Sequence, residues 1–597
     1  MSDRLESIEQ AARRKELSAS AVANLKRWFT VNHYAPFRPE IERLIDARQW
    51  ETLNDCFYQL IPFGTGGRRG PVGVGPNRMN EATVAESAQG LANKLLKTIA
   101  GRRPRVAVAY DTRLSSPAFT LCAAKVFAGN GIEVCLFDGP RATPELSFMI
   151  RDLKCDAGVV ISASHNPPED NGFKAYWSDG GQIVPPLDGE LIEEVKAVEV
   201  VREISFEEAY GRGLIRRLAP EDDRRYQQAV AARALTDCRQ VKIVYSPLHG
   251  TGLTSVAPVL RAAGFADIHL VESQKDPDGR FPNVPGHKPN PEVTTGLDAA
   301  IALAKAIQAD IAMVSDPDAD RLACAVSDGK GGFALLSGNQ SAALMMEFIG
   351  REMQASGSLK PSHRVYTTCV SSPLFPTIAR AYGLTVKDDL LVGFKWIAEQ
   401  IEKQADPEDF LFGSEESIGF MRGPQSRDKD AAAAALLMAE IAARQKAAGR
   451  TLLAFLDDIY RRYGYFHDAG ASIFLEGAKG SERMARIMAA LRQSPPAEVA
   501  GLPVLAVIDR MTNRIRGLDG TSLGTVDGPT SNLLIFRLRE DHKSWIALRP
   551  SGTEPKIKFY LSLYAPATGD LAATRTATAA LAERMVKTLA DTAMAIP

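Results

Sequence analysis

Six times along the chain a short apolar run stops abruptly in a polar loop. Val106–Tyr110 runs into Asp111-Thr112-Arg113-Leu114-Ser115-Ser116, Ala157–Ile161 into Ser162-Ala163-Ser164-His165-Asn166-Pro167, and Val241–Tyr245 into Ser246–Gly252. Ile311–Val314 runs into Asp316–Arg321, Val365–Cys369 into Val370-Ser371-Ser372, and Phe410–Phe412 into Gly413–Ser417. Short apolar runs bounded by turn formers read as buried strands. Helical segments such as Glu81–Ala100 alternate with them, which predicts mostly parallel α/β sheets with functional loops at one edge. From about 465 the order of strands and helices changes, and an α+β module is expected there.

At 597 residues the chain exceeds a single core, and three to five domains are expected. Lys+Arg 71 against Asp+Glu 72 gives a net charge of -1, which offers no general surface for nucleic acid or anionic membrane. Seven scattered cysteines without a C-x-x-C pair suit reduced thiols rather than a disulfide frame or a zinc site. The charged N-terminal stretch has no apolar signal core, and the longest apolar stretch, Ala431–Ala439, is far short of the ~20 residues a membrane helix needs. A cytoplasmic protein is expected.

Ser164 stands on a stiff Ser-Asn-Pro loop directly after a buried strand, a place suited to a nucleophile or phosphate acceptor. Asp316, Asp318 and Asp320 alternate along a loop, so their carboxylates converge on one hard cation. An EF-hand does not fit, because Arg321 and Ser327 stand where Gly and Glu would be required. Arg321 beside the trio points to phosphate as the cation's other partner. Arg549-Pro550-Ser551-Gly552-Thr553 offers a guanidinium, hydroxyls and consecutive backbone N–H groups, an inventory for a phosphate monoester. The Gly-rich stretch Phe63–Gly75 with Arg68, Arg69 and Arg78 is neither a Walker A loop nor a dinucleotide fingerprint. Together these features describe phosphoryl transfer on a phosphorylated polyol. An acyl hydrolase built on Ser164 and His165 would lack the G-x-S-x-G elbow and leave the aspartates idle.

The four motifs, in this order, resemble the α-D-phosphohexomutase superfamily of phosphoglucomutases and phosphomannomutases. FGTGGRRGPVGVGPNRMN and SEESIGF are most similar to its phosphoglucomutase-2 and phosphopentomutase branch. The resemblance implies an α/β fold of four domains around a cleft, three similar α/β domains and a smaller α+β fourth. It divides the chain into a helical extension (1–55), a phosphoserine domain (56–218), a metal domain (219–332), a sugar domain (333–462) and a phosphate domain (463–597). It implies interconversion of α-D-glucose 1-phosphate and glucose 6-phosphate through phosphorylated Ser164 and glucose 1,6-bisphosphate. Mg²⁺ would be held by the Ser164 phosphate with Asp316, Asp318 and Asp320, while Arg321 stabilises the transferring group. Glu415, Ser417, Gly393 and Phe394 would hold the sugar, and Arg549, Ser551, Gly552, Thr553 and Lys558 its distal phosphate. Thr65, Arg68, Arg78 and Asn80 would line the rest of the cleft. Lys429, Lys174 and His165 are all open as the group that handles the proton, Lys429 on condition that its neighbours lower its pKa. Phosphomannomutase, phosphopentomutase, glucose-1,6-bisphosphate synthase and a non-catalytic phosphosugar-binding regulator are the competing readings. The partner is a small phosphosugar, and the chain is expected to be a monomer or homodimer. A hinge is expected at Gly464 and Gly470.

Overall fold

The computed structural model describes residues 2–64, 67–475, 477–551 and 556–596. Three α/β units repeat one four-strand core. In the first its order is Glu133–Leu136, Arg105–Tyr110, Ala157–Ile161 and Asp170–Trp177, with the first three parallel and the fourth antiparallel. The second repeats this with Ile268–Leu270, Ile243–Ser246, Ile311–Ser315 and Leu322–Ser327. In the third the strands are Thr385–Leu390, Arg364–Thr368, Phe410–Glu415 and Gly419–Arg422. The loop joining the third strand to its antiparallel neighbour carries Ser164 in the first unit, the aspartates in the second and Glu416-Ser417 in the third. It leaves the carboxyl end of a parallel strand each time, where α/β sheets place their sites.

One apolar core runs through the three units, from Ala107 through Val314 to Leu436, all buried. The helix Ala431–Ala447 helps to join them. It is buried on all sides along most of its length, and Asp430 caps it by accepting from the N–H groups of Ala432 and Ala433 at 2.9 and 3.1 Å. The C-terminal module differs: seven antiparallel strands, from Tyr465–Phe474 at one edge to Ser522–Thr525 at the other, form its sheet. Helices Gly477–Gln493 and Leu571–Met594 and a separate core complete it. The N-terminal residues form four α-helices and a 3-10 helix with their own core, in which Trp28 stacks on Tyr34 at 4.4 Å. Among the described residues no helix is long and apolar enough to cross a membrane.

Several expected limits shift. The extension's last helix runs to Phe57, beyond 55. Strand Phe333–Leu336 pairs with Leu322–Ser327, so the second sheet continues past 332. The strand expected to stop at Phe412 continues through Glu415, because Gly413, Ser414 and Glu415 still pair with Gly419–Met421. Gly464, with φ +94°, sits between the helix Leu452–Tyr463 and the module's first strand. Gly470 lies inside that strand, paired with Tyr560.

Candidate active site

The serine loop is held from beneath by Arg113, a residue that no sequence motif singled out. Arg113, 1% exposed, donates to the carbonyls of Ser164, Asn166, Pro167 and Asp170 at 2.6–2.8 Å. Asp111 fixes that guanidinium through Nε at 3.1 Å. Ser164 itself adopts φ +52°, a left-handed conformation uncommon for a non-glycine residue. Its N–H is satisfied by Ser162 Oγ at 2.8 Å. The hydroxyl, 2% exposed, donates to Asp316 Oδ2 at 2.6 Å and lies 3.2 Å from His165 Nδ1. Loops of two different units thus meet at one hydroxyl.

Asp316, Asp318 and Asp320 are all buried and offer one oxygen each within 4.8 Å of one another. Asp316 Oδ1 also accepts the N–H groups of Asp320 and Arg321, at 3.1 and 3.0 Å, which curls the loop around the cluster. Asp318 Oδ2 takes Lys174 Nζ at 2.5 Å and Thr143 Oγ1 at 2.8 Å, and Asp320 Oδ2 takes Lys429 Nζ at 3.1 Å. Oδ1 of Asp318 and Oδ1 of Asp320 are buried without a hydrogen bond, the latter 3.8 Å from Arg321 Nε. Burial, then the charges of Asp320 and Asp318, push the Asp316 carboxyl well above the usual range. Burial opposes the charge on Asp318 too, but Lys174 outweighs it and holds that carboxyl below its ordinary value. Three crowded carboxylates with two open oxygens are a donor set for a divalent cation.

The loop's backbone is pinned from all sides. Thr143 N–H donates to Asp318 O at 2.9 Å, Thr251 N–H to Pro317 O at 2.8 Å and Leu322 N–H to Ile418 O at 3.1 Å. Gly250 permits this approach, since a Cβ there would lie 2.3 Å from Pro317 Cα. Arg321 pairs with Glu292 at 3.3 Å, a carboxylate with no signal in the sequence, while its buried Nε makes no hydrogen bond and lies 3.8 Å from Asp320 Oδ1. Burial, followed by the positive charges of Arg321 and Arg69, keeps the His165 imidazole well below its ordinary pKa.

Lys429 corrects an expectation. Burial disfavours its charge, but Asp320, Asp428 and Glu415 outweigh burial and raise its pKa, so its neighbours do not prepare it as a neutral base. Glu415, 5% exposed at its strand end, accepts Gly393 N–H at 2.7 Å. Phe394 lies under the Lys429 ammonium at 5.7 Å. Ser417 is partly exposed in the turn that follows Glu415. Burial, then the charge of Glu415, raises Glu416 to about 7.

The Gly-rich stretch divides differently from the expectation. Arg68 is buried and donates to Thr83 O and Ser87 Oγ inside the first unit, away from the cleft. Arg78 pairs with Asp55 and ties down the N-terminal helices. Asn80 caps the helix Glu81–Thr98. All three are structural. Strand alternation turns Arg69 to the opposite face, where it donates to Asn166 Oδ1 at 3.3 Å beside the serine loop. Arg549 and Lys558 are partners across two strands of the C-terminal sheet. Tyr560 accepts from Arg549, and the charge of Glu416 reaches both Tyr560 and Lys558, which places these two cations opposite the third unit's loop. Ser551 N–H donates to Lys556 O at 2.8 Å. Thr65, Gly552 and Thr553 lie outside the described residues.

Three sequence families match this chain: "Phosphoglucomutase/phosphomannomutase, alpha/beta/alpha domain I" over residues 61–201, domain II over 224–330 and domain III over 337–463. The chain is 37% identical over 521 residues to a phosphoglucomutase of Staphylococcus epidermidis, covering 86% of this chain and 92% of that protein. It is 36% identical over 524 residues to a phosphoglucomutase of Staphylococcus aureus, covering 87% and 92%. Its fold is similar to a phosphoglucomutase/phosphomannomutase family protein from Burkholderia thailandensis, with TM-score 0.64, 18% identity and coverage of 89% and 97%. It is also similar to pp63/parafusin, a phosphoglucomutase from Paramecium in an open form, with TM-score 0.62, 16% identity and coverage of 87% and 94%.

Proposed function

The chain belongs to the phosphoglucomutase/phosphomannomutase family of the α-D-phosphohexomutase superfamily, and we propose that it interconverts α-D-glucose 1-phosphate and glucose 6-phosphate through phosphorylated Ser164. The observation that carries this reading is the Ser164 Oγ to Asp316 Oδ2 contact at 2.6 Å, inside a trio that keeps two open oxygens. Phosphorylated Ser164 gives its phosphoryl group to the free 6-hydroxyl of glucose 1-phosphate. The P–O bond to serine breaks, the new one forms, and the hydroxyl proton leaves to a base. Glucose 1,6-bisphosphate then turns over in the cleft and returns its 1-phosphoryl group to Ser164.

Mg²⁺, held by Asp316, Asp318 and Asp320, would offset the phosphate's negative charge. Arg321 and Arg69 supply donors for the charge spread over the transferring group. Arg113 keeps the serine loop still, which fixes the line of attack. His165 is the neutral base nearest the serine oxygen, and Lys174 and Lys429 act as charge partners of the trio. Glu415, Ser417, Gly393 and Phe394 hold the sugar in both orientations. Arg549, Ser551, Gly552, Thr553 and Lys558 hold whichever phosphate is not reacting. Seven unpaired cysteines fit a cytoplasmic setting.

Intact mass of an active preparation tests the reading: a fraction carries about +80 Da, the mass of one phosphoryl group, and Ser164→Ala does not. Coupled assays on glucose 1-phosphate, mannose 1-phosphate and ribose 1-phosphate, with a bisphosphate activator, test the sugar, with glucose 1-phosphate expected to be turned over fastest. Equal turnover by Ser164→Ala and wild type would overturn the phosphoserine route.

A further inference from the structure

A cavity of about 380 Å³ lies in the seam between the third unit and the C-terminal module. Thr367, Thr368 and Ser371 face it from the third unit, and Ile535 and Trp545 from the module's sheet. Arg510 also lines it, at 1% exposure. Arg510 Nη2 makes two long contacts, to Asp527 O at 3.5 Å and Pro529 O at 3.3 Å, while its buried Nε and Nη1 have no partner. A guanidinium stays charged when buried, and its two open donors, which point to different sides of the group, can each donate to an oxyanion.

The remaining charges agree. The three acidic groups around the cavity already face basic ones: Asp388 pairs with Arg380 at 2.9 Å, Asp389 with Lys387 at 3.8 Å and Asp541 with Arg539 at 3.5 Å. Arg537 reaches His542 Nε2 at 3.4 Å, and Lys543 lies over the Tyr564 ring at 4.6 Å. Those two cations and Arg510 leave a positive excess beside an apolar wall. The site is separate from the phosphate clamp: Trp545 precedes Arg549 by four residues on one strand face, roughly 13 Å away. It nevertheless touches the back of the sugar loop. Thr367 Oγ1 donates to Ser414 O at 2.8 Å, and Thr368 Oγ1 lies 3.5 Å from Glu416 Oε2.

We propose that this cavity is a second ligand site for a small organic oxyanion, a phosphate or carboxylate head on a compact apolar body. The head pairs with Arg510 and the body lies against Ile535 and Trp545. Bound there, the ligand bridges the two bodies and fixes the module's orientation over the sugar loop.

Phenyl phosphate and benzoate are the probes, titrated calorimetrically into the full-length wild type, Arg510→Gln and Arg549→Ala. At least one probe is expected to bind wild type and Arg549→Ala alike, with Kd raised about tenfold or more in Arg510→Gln, as expected for losing a charge-assisted hydrogen bond. A preference for phenyl phosphate assigns a phosphate head, and a preference for benzoate a carboxylate. No saturable binding to wild type, or binding lost in Arg549→Ala and kept in Arg510→Gln, overturns the proposal. Wild-type crystals soaked in the preferred probe give a readout that does not depend on the variant's folding. Density against Arg510 supports the site, and density only at Arg549 rejects it.

Discussion

The reaction centre proposed around Ser164 and the phosphate clamp proposed at Arg549 and Lys558 are built on opposite principles. Around Ser164 three units share one apolar core, and their loops exchange backbone hydrogen bonds. Tyr176 and Tyr226 of the first two units add side-chain bonds to Asp428 and Asp430 of the third, at 2.8 and 2.9 Å. The C-terminal module has a core of its own, joins the shared core only at its edge through Tyr465, Phe466 and Leu571, and meets the third unit again at an apolar patch in which Val370 and Cys369 pack with Ile508, Ile535 and Trp545. A shared core makes loops move as one body, while a small interface permits relative rotation. Phosphoryl transfer needs its reacting atoms fixed, and an intermediate that turns over needs a clamp that can let go. The difference separates the two requirements.

Arg113→Ala attacks the rigid side and has the largest expected effect. It leaves four loop carbonyls and buried Asp111 without their cation, at a cost of about 3–5 kcal/mol to the first unit. A freed serine loop should lower kcat by about a hundredfold. Thermal melts and steady-state kinetics check both, and Arg113→Lys should recover part of each. An unchanged kcat would mean that the serine loop holds its position without this anchor. Arg549→Ala attacks the mobile side. Loss of a charged hydrogen bond of about 1.5–3 kcal/mol predicts kcat/KM reduced roughly 10- to 100-fold. The loss should fall mainly on KM, with the melting temperature unchanged. Should it fall wholly on kcat, the clamp belongs to the transition state and the contrast between the regions fails.

The rigid half was the more legible in the sequence. Buried parallel strands are nearly continuous apolar runs, and their polar loops start abruptly, so Ser164, Asp316, Asp318 and Asp320 stood out one by one. Arg113 sat in such a loop without a role, because four carbonyl contacts depend on a fold that only pairing across 51–57 residues creates. Arg68 and Arg69 read alike as adjacent basic residues, whereas strand pairing sends one into the core and the other to the cleft. Glu292 had no signal at all, being a lone acid in an irregular loop. The pairing of the fourth strand also hid the true extent of the Glu415 strand, since Gly413 and Ser414 look like turn residues in isolation.

The expected hinge offers a finer test. A Cβ on Gly464 would lie 2.2 Å from the Tyr564 ring and strain φ +94°, so Gly464→Ala should destabilise the module by about 1 kcal/mol or more. Gly470→Ala, in extended strand with its nearest contact at 3.3 Å, should cost no more than about 0.5 kcal/mol. Denaturation of both variants decides where the joint lies. Equal losses would return Gly470 to the hinge.

The smallest effect expected is a pH dependence in the seam. Asp468, on the module's first strand, lies beside Ser562 of its own sheet and beside Ser372 and Asn339 of the third unit. Burial raises its pKa to about 6 from the model-peptide 3.8, against the opposing hydrogen bonds of those three residues. A raised acid is protonated more readily in the folded state, so its stabilising contribution is full below 3.8 and is lost as pH rises through about 6. The docked module should therefore melt about 1–2 °C higher at pH 5 than at pH 7.5 through this group. Asp468→Asn should remove that difference, since the amide neither titrates nor carries charge into the seam. If the variant keeps the wild-type slope between pH 5 and 7.5, another group governs the docking. If instead the slope disappears while the Arg113 region melts as before, the two halves of the molecule respond to pH independently.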